Sequence, residues 1–487
     1  MGGNEREEVK MEECKEAAAA VYMCGYLPGT LQEKTPILSP IPVRLPLSDQ
    51  GADSWKDVCG GGCGFALAIS ESGKLITWGS TDDEEQSYLT SGKHGEIPQP
   101  FPLPTEAPIV NAAAGWGHCV AITDAAEVYT WGWKECVPCG KVTHDLVSSG
   151  SSQNDNVGKQ NILPTEQVSP RSRGSNVSVG VVSKLENRKA GEEMTKKRRI
   201  AALKEESEGL TCGDELFTVS PCLVTLGPGV RITSVAAGGR HTLSLSDVGQ
   251  LWGWGYGGEG QLGLSSRIKM VSSPHLIQCI EPPTSRKDGP LVVRQGDLNS
   301  PVQVSKAVGS YIKGIACGGR HSAVVTDTGA LLTFGWGHYG QCGQGTTTDI
   351  LRPMFVSSLS SIQVERVAAG LWHTLCISVD GHVYAFGGNQ FGQLGTGADQ
   401  LETLPRLLDA PVLEGKHAKT VSCGARHGVM LTDDGGVLSW GWNKYGQLGL
   451  GDTIDRNVPS QVPIEGCVPK DVACGWWHTL LLAETPP

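Results

Sequence analysis

The sequence predicts an all-β protein, a seven-bladed β-propeller whose last blade is closed by the N-terminal segment. Three observations lead to this prediction. The 487 residues include 65 Gly and 13 Trp, a composition typical of many short strands joined by tight turns. One sequence pattern recurs seven times along the chain. The two ends of the chain each carry one half of that pattern.

The repeat is anchored by a Gly that is followed sixteen residues later by an aromatic residue and a second Gly. These anchors and aromatic residues are Gly62/Trp78, Gly115/Trp131, Gly238/Trp254, Gly318/Phe334, Gly370/Phe386 and Gly424/Trp440, with Gly475 as a seventh anchor. Most anchors lie 51–54 residues apart, but the second and third are separated by 123 residues and the third and fourth by 80. Within a unit, β-prone runs such as "HTLCIS" and "HVYAFG" flank a "VDG" turn. Four short strands per unit and seven units indicate a closed propeller.

The seventh unit is incomplete, because the chain ends before an aromatic-Gly pair can follow Gly475. The missing half stands at the other end, where "VYMCGY" (21–26) aligns with "VYTWGW" (128–133) and Cys24 takes the aromatic position. Cys24 precedes Trp78 by 54 residues, which is one repeat. We therefore expect a propeller over 21–487 whose last blade is shared by both ends, preceded by an acidic tail over 1–20. Such closure removes exposed sheet edges.

Units such as "GGRHTLSLSDVGQLWGWGYGGEGQLGL" (238–264) resemble the repeats of the regulator of chromosome condensation (RCC) family. The resemblance rests on G-x-x-H, W-G and G-Q-L-G at fixed spacing and covers nearly all of the chain outside two insertions. It implies a seven-bladed propeller but does not define a function. Members include the Ran exchange factor, the ultraviolet-B photoreceptor, ubiquitin-ligase propellers and chromatin-associated regulators. The chain is similar to plant nuclear members.

Charge and cysteine content limit the classes of function. The net charge is −11, so direct DNA binding is not expected without a local basic patch. The charged N-terminus lacks an apolar signal region, and no stretch has the length of a membrane span. The 16 Cys are interpreted as small buried residues of a reduced intracellular protein, since several occupy a repeat position that holds Ala elsewhere.

Two insertions interrupt the repeats. The first, 134–212, is polar and Gly/Ser-rich and carries the basic run Lys196, Lys197, Arg198 and Arg199, which we interpret as a nuclear import signal read by an importin. A solvated charged helix is the alternative. The second insertion, 268–305, is expected to be a long loop, comparable to the wedge that the exchange factor of the family inserts into Ran.

Metal and cofactor sites are not expected. The "CVPCGK" stretch (136–141) is a single CxxC, and a structural zinc site would need a second pair, for which His144 and Cys212 are the conceivable ligands. Six His share one repeat position, but that position rotates from blade to blade, so they cannot converge on one ion. We expect them to be structural and to hydrogen-bond turn backbone. They are His118, His241, His321, His373, His427 and His478.

The two residues between each anchor Gly and its His vary most, and turn positions of this kind display binding residues. Trp and Arg, the residue types enriched at binding hot spots, recur there. The predicted partner-binding residues are Trp116, Arg240, Arg320, Trp372, Arg426, Trp476 and Trp477. The alternative interpretation is that the Trp side chains fill gaps between blades and that the Arg side chains pair with neighbouring acids.

Three functions follow from these residues and from the family resemblance. The first is a non-enzymatic nuclear interaction propeller that binds histones or other chromatin proteins and regulates gene expression in a plant stress response, including cold stress. The second is a nucleotide exchange factor for a Ran-like small GTPase. The third and least favoured is ultraviolet-B photoreception. Receptors of that kind carry G-W-R-H-T in consecutive blades, whereas here Gly239, Gly319 and Ala425 occupy the Trp position. Trp116 and Trp476 do occupy it, but we expect the first blade to separate them.

Replacing Lys196, Lys197, Arg198 and Arg199 by Ala is expected to shift a fluorescent fusion of the protein from the nucleus towards the cytoplasm, because an importin recognises this basic run. The measurement is the nuclear-to-cytoplasmic fluorescence ratio, with the melting temperature as the control for folding. Unchanged nuclear accumulation of the quadruple variant would exclude the run as the import signal.

Overall fold

The computed structural model describes residues 19–27, 36–45, 53–79, 97–138, 219–280 and 311–484. Within these ranges the chain forms seven four-stranded antiparallel sheets and short 3-10 helices at Lys134–Cys136, Ser357–Leu359 and Pro411–Leu413. The strands of the first four repeats are β3 (Trp55–Gly61), β4 (Ala66–Ser70), β5 (Leu75–Trp78), β6 (Gln99–Pro100), β7 (Ile109–Ala114), β8 (His118–Thr123), β9 (Val128–Gly132), β10 (Val219–Leu223), β11 (Ile232–Ala237), β12 (His241–Ser246), β13 (Leu251–Gly257), β14 (Ile268–Ile277), β15 (Ile312–Cys317), β16 (His321–Thr326), β17 (Leu331–Gly335) and β18 (Ile350–Phe355). The remaining strands are β1 (Ala19–Gly25), β2 (Ile37–Val43), β19 (Val364–Ala369), β20 (His373–Ser378), β21 (Val383–Gly387), β22 (Glu402–Leu407), β23 (Ala418–Cys423), β24 (His427–Thr432), β25 (Val437–Gly441), β26 (Arg456–Gln461), β27 (Val468–Cys474) and β28 (His478–Glu484).

Blades 1 to 6 each use four consecutive strands, from β3–β6 in blade 1 to β23–β26 in blade 6, and run from the centre outwards. The innermost strands are β3, β7, β11, β15, β19, β23 and β27. Each packs against the innermost strand of the next blade, and β27 packs against β3. The ring is therefore closed, and the predicted seven-bladed propeller is confirmed.

Blade 7 is built from both ends of the chain, in the strand order β2-β1-β28-β27. Strand β1 pairs with β28 over seven successive residues, from Ala19↔Glu484 to Gly25↔His478. Met23 and Leu480 are buried in one apolar cluster. The predicted sharing of the last blade is confirmed, and Cys24 takes the aromatic position with its thiol donating to the Gln447 carbonyl at 3.5 Å.

The aromatic residue of each aromatic-Gly pair lies between neighbouring blades. Trp78, Trp131, Trp254, Phe334, Phe386 and Trp440 are all fully buried. Trp440 of blade 6 donates its indole N–H to the Gln393 carbonyl of blade 5 at 2.9 Å. These large side chains supply most of the apolar contact that holds one sheet on the next.

The anchor Gly residues mark the closest approach of neighbouring blades. A Cβ on Gly370 would lie 2.7 Å from the Gly424 carbonyl oxygen and closer still to the His373 ring, so only Gly fits there. Backbone hydrogen bonds join successive turns, as from Leu371 N–H to the Ala425 carbonyl at 3.1 Å and from Ala425 N–H to the Trp476 carbonyl at 3.2 Å. The anchors therefore fix the position of the variable pair, which is the pair of residues between each anchor Gly and the repeat His, or Phe65 in blade 1.

The six repeat His are structural, as expected, but their bonding differs from the expectation. In blade 3, His241 Nε2 lies 2.8 Å from the Ser322 hydroxyl of blade 4, and that hydroxyl donates to the Gln261 carbonyl. Because a hydroxyl has one proton, the His241 Nε2–H must be the donor to Ser322. The ring therefore bonds the neighbouring blade and not its own turn backbone.

The same bond joins three other blade pairs: His118 to Thr242, His321 to Thr374 and His427 to Thr479. His373 and His478 lack it, and their Nε2 atoms are buried without a partner. The reason lies in the next blade, where the hydroxyl position is held by Gly428 and Ala66. The His network thus spans four of the seven blade junctions.

The second insertion departs from its expected structure. Residues 268–277, expected to begin a loop, form β14, the ten-residue outer strand of blade 3. The expectation fails because blade 3 needs a fourth strand and this segment supplies one, burying Val271 and Ile277. Residues 281–305 of the insertion, the basic run at 196–199 and residues 1–18 of the N-terminal tail lie outside the described residues. The last two residues of the expected tail, Ala19 and Ala20, belong to β1. No helix among the described residues is long and apolar enough to cross a membrane.

Deletion of residues 1–30 removes β1 and leaves β28 without its outer neighbour, so we expect a loss of several kcal/mol of stability, a large part of a typical total. Thermal or urea unfolding measures the loss. Deletion of residues 1–15, which ends before β1, is the control and should melt close to the full chain. A wild-type melting temperature for the longer deletion would show that the blade does not depend on β1.

Lowering the pH from 7 to 5 is expected to destabilise the propeller. Burial lowers the pKa of His118, His373 and His478 to about 4 and that of His241, His321 and His427 to about 3, whereas a His in the unfolded chain titrates near 6.5. Below pH 6.5 the unfolded chain binds protons that the folded chain does not. The contribution of the six His to the free energy of unfolding is therefore fully present above pH 6.5. It decreases as the pH falls below 6.5, by up to about 1.4 kcal/mol per pH unit for each His.

The measurement is the free energy of unfolding in urea across this pH range. Asp57→Asn is an informative control, because burial and the nearby Asp471 raise the pKa of Asp57 to about 6. This carboxyl holds a proton in the folded state and so opposes the His effect between pH 4 and 6. The Asp57→Asn variant should therefore lose stability more steeply. A free energy of unfolding that stays constant from pH 7 to 5 would contradict the burial of the six His as neutral side chains.

Candidate protein-interaction face

The variable pairs lie at the same end of every blade, in the turn between the innermost strand and the second strand. Together they surround one mouth of the central channel, which encloses about 410 Å³. The first residue of a pair borders that mouth, as Leu371, Ala425 and Trp476 do. The second residue contacts aromatic rings further from the axis. We call this end of the ring the aromatic face.

One group on this face, the Trp116 cluster, consists of Trp116, Trp133, Trp476 and Arg240. The Trp116 and Trp476 rings stack with centroids 5.8 Å apart, and Trp116 lies 6.2 Å from Trp133. Arg240 stands over the Trp133 ring at 5.1 Å. The expectation that blade 1 separates Trp116 from Trp476 is therefore wrong. Among the described residues of blade 1, Cys63 and Gly64 form the equivalent turn, and these small residues leave room for the two indoles to meet.

A second group, the Arg426 cluster, joins blades 5, 6 and 7. Its centre is the Arg426 guanidinium, which lies 5.2 Å from the Trp372 ring, 4.7 Å from Phe391 and 5.2 Å from Trp442. Trp442 in turn meets Trp477 edge to face at 5.4 Å. Such cation–π and aromatic contacts fix the side chains that form the surface.

Arg320 extends the second group to blade 4. Its guanidinium lies 5.4 Å from Trp336, Trp336 meets Tyr339 at 5.4 Å, and Tyr339 stacks on Trp372 at 5.0 Å. The structure thus brings the seven predicted residues together in two groups, linked where Trp476 and Trp477 follow one another. The contacts run from Arg320 of blade 4 through blades 5, 6 and 7 to Trp116 of blade 2 and Arg240 of blade 3.

The arginines differ in their acidic partners. Arg240 pairs with Glu135 at 3.5 Å and Arg320 with Glu259 at 3.4 Å, while the Arg side chains remain 44% and 52% exposed. Exposed pairs of this kind are weak, so both guanidinium groups stay available to a partner. The alternative interpretation, in which Arg pairs with neighbouring acids, describes Arg240 and Arg320 but does not describe Arg426.

The Arg426 guanidinium has no hydrogen-bond or ion-pair partner in the described part of the chain. Its Nε is buried without an acceptor. Burial lowers the pKa of Arg426, and Tyr339 and Tyr445 oppose this shift. A half-buried cation walled by aromatic rings and lacking a counter-ion is unusual.

Sequence reasoning missed part of the face. In five blades the residue after the aromatic-Gly pair, or after its Cys24-Gly25 equivalent, supplies a second set of rings, and in three blades a third ring follows three residues later. A repeat-by-repeat comparison of those positions would have found them, since aromatic residues recur at both. They are Tyr26, Trp133, Tyr256, Trp336 and Trp442 in the second set, and Tyr339, Phe391 and Tyr445 in the third.

The channel itself is lined by small residues. Cys59, Cys317, Cys423 and Cys474 reach it and carry free thiols. Burial raises the pKa of Cys317 and Cys474 to about 12, so both remain neutral thiols rather than metal-binding thiolates. In the described ranges, no three His, Cys, Asp or Glu side chains form a group that could hold a metal ion. Of the conceivable zinc ligands Cys136, Cys139, His144 and Cys212, only Cys136 lies within the described ranges.

Comparison with known proteins identifies the family. The model of the RCC1-like domain matches residues 204–485, which is more than half of the chain. The protein belongs to the RCC1-like family. RCC1-like propellers act mainly as non-catalytic regulators or exchange factors. The match begins after blade 1 and most of blade 2, yet these two blades have the same four-stranded RCC1-like sheets.

The chain is also similar to individual curated proteins and solved structures. The chain is 29% identical to the ultraviolet-B receptor UVR8 of Arabidopsis thaliana over 82% of this chain and 79% of UVR8. It is 32% identical to human E3 ubiquitin-protein ligase HERC2 over 53% of this chain but only 5% of HERC2. The crystal structure of Prp20p from Saccharomyces cerevisiae, a protein that binds Gsp1p and histones, matches with a TM-score of 0.64 at 18% identity, covering 97% of this chain and 93% of Prp20p. That likeness shows the fold.

Proposed function

We propose that this RCC1-like propeller is a non-enzymatic nuclear interaction module that binds histones or other chromatin proteins and so regulates gene expression in a plant stress response. The observation that carries the proposal is the aromatic face. It presents Trp and Arg side chains on one continuous surface of a chain whose net charge is −11.

The chemistry of the face suits a protein partner. Trp116 is 38% exposed, and the half-buried Trp372 and Trp477 are held by neighbouring rings, so they can be covered with little loss of side-chain entropy. Rigid aromatic residues and arginines dominate the energetics of many interfaces. The acidic remainder of the chain would attract a basic partner from a distance. Histones are basic proteins, and the structural neighbour Prp20p binds them.

Nuclear import is part of the same proposal. The basic run Lys196–Arg199 lies outside the described residues, and its role remains the prediction stated above. A structural neighbour, yeast RCC1 (Prp20), has been crystallised bound to Kap60. Importin recognition of this chain through the run Lys196–Arg199 is therefore part of the proposal.

A second candidate is nucleotide exchange on a Ran-like small GTPase. The observation in its favour is the likeness to Prp20p, which binds Gsp1p. The segment that would act as a wedge was expected in the second insertion, but its first ten residues are a blade strand, β14. A nucleotide-release assay on a panel of small GTPases distinguishes the two candidates, since acceleration of release supports exchange.

We expect Arg320→Ala, Trp372→Ala and Arg426→Ala each to weaken binding to core histones by roughly 1–3 kcal/mol, the range of hot-spot truncations. Isothermal titration with purified histone complexes measures the effect. Trp372→Ala should also lose stability, because this ring packs against Tyr339 and Arg426. Thermal melts of every variant separate the two causes.

Arg352→Ala provides the matched control, because Arg352 is an exposed arginine on the outer strand β18 and belongs to neither the Trp116 cluster nor the Arg426 cluster. It should bind as the wild type does. Wild-type affinity of both Arg320→Ala and Arg426→Ala would show that the aromatic face is not the histone-binding surface. No binding of the wild-type protein to histones would refute the proposed function itself.

A further inference from the structure

The charges on the aromatic face are unevenly compensated. Arg240 and Arg320 each have a carboxylate of a neighbouring blade within 3.5 Å. Arg426 has none among the described residues, and Lys444 adds a second cation beside the cluster, with its amine 5.7 Å from the centre of the Tyr445 ring. Blades 5 to 7 therefore present a positive centre inside aromatic walls.

The surroundings of Arg426 define what could bind there. Its Nε is shielded from solvent, but the two terminal Nη atoms are not among the buried unpaired atoms and are therefore open to solvent. The Trp372, Phe391 and Trp442 rings lie 4.7–5.2 Å from the guanidinium carbon. A ligand that binds this cation is therefore expected to use the two Nη groups.

A carboxylate fits this arrangement better than other anions. Its two oxygens match the paired N–H groups of one guanidinium end. Phosphate groups are generally bound by clusters of arginines, whereas this site offers one guanidinium. The aromatic walls suit the apolar stem of an acidic side chain, and the low dielectric between them strengthens the ion pair.

We propose that Arg426 is the receptor for an Asp or Glu side chain of the docked protein, which enters between Trp372 and Trp442 and accepts hydrogen bonds from both Nη groups. The inference rests on the proposed function in one respect, the use of the aromatic face for docking. It adds the chemistry of the partner, an acidic residue flanked by apolar side chains. It also ranks Arg426 above Arg320, whose guanidinium already has Glu259.

The test is selection of a random heptapeptide display library on the full-length protein. We expect the enriched peptides to share an Asp or Glu beside aliphatic or aromatic residues. Synthetic copies with Glu→Gln or Asp→Asn should bind at least tenfold more weakly. Arg426→Gln should weaken binding of the parent peptides by the same factor, and Arg426→Lys by about tenfold, because an ammonium cannot form the paired hydrogen bonds.

Arg352→Gln is the matched control and should leave peptide affinity unchanged, while Arg320→Gln should have a smaller effect than Arg426→Gln. Melting temperatures establish that each variant is folded. Enriched peptides without an acidic residue, undiminished binding to Arg426→Gln, or a selection that yields no binder would each overturn the inference. The wild-type protein could bind the acidic peptides and yet fail to bind histones. That result would support the carboxylate site and reject only histones as the partner.

Discussion

The contact between neighbouring anchor turns is the constraint on which the rest of the propeller depends. At each turn the backbone of one blade approaches that of the next so closely that a side chain on the anchor residue would collide with a carbonyl oxygen, as at Gly370 and Gly424. Backbone hydrogen bonds such as Leu371 to Ala425 then join the turns into a ring. Where the next blade supplies a hydroxyl, the buried His adds a side-chain bond at the same level. Blade 7 completes this ring between blades 6 and 1, and the pairing of β1 with β28 completes blade 7.

This constraint also creates the aromatic face. Because the variable pair follows directly after the anchor Gly, the inner ring positions one pair at each blade end around the channel mouth. Residues far apart in the chain are thereby brought into contact. Trp116 and Trp476 stack at 5.8 Å, although 359 residues lie between them in the sequence. Variation at these turns can change what the face binds without altering the contacts that hold the blades together.

The electrostatics of the face follow from which blade provides an acid. Blades 2 and 3 place Glu135 and Glu259 beside the arginines of the following blades. At the position equivalent to Glu259, blade 5 places Phe391 beside Arg426. One change of residue type at a repeat position therefore converts a compensated arginine into an uncompensated one. A partner with an acidic side chain would restore the missing charge balance, at the site where water is already partly excluded.

The sequence alone determined the number of blades, the shared last blade, the structural nature of the His position and the turns that form the face. These features could be predicted because each repeats with a fixed period, and periodic patterns record backbone geometry. The tertiary structure decided how side chains from neighbouring blades meet: the Trp116–Trp476 stack, the bond from His241 to Ser322 and the isolation of Arg426. None of these has a signal within one repeat, because each depends on the side chains that the next blade, or a blade two positions away, places beside it. The structure also assigned residues 268–277 to β14, because blade 3 needs a fourth strand.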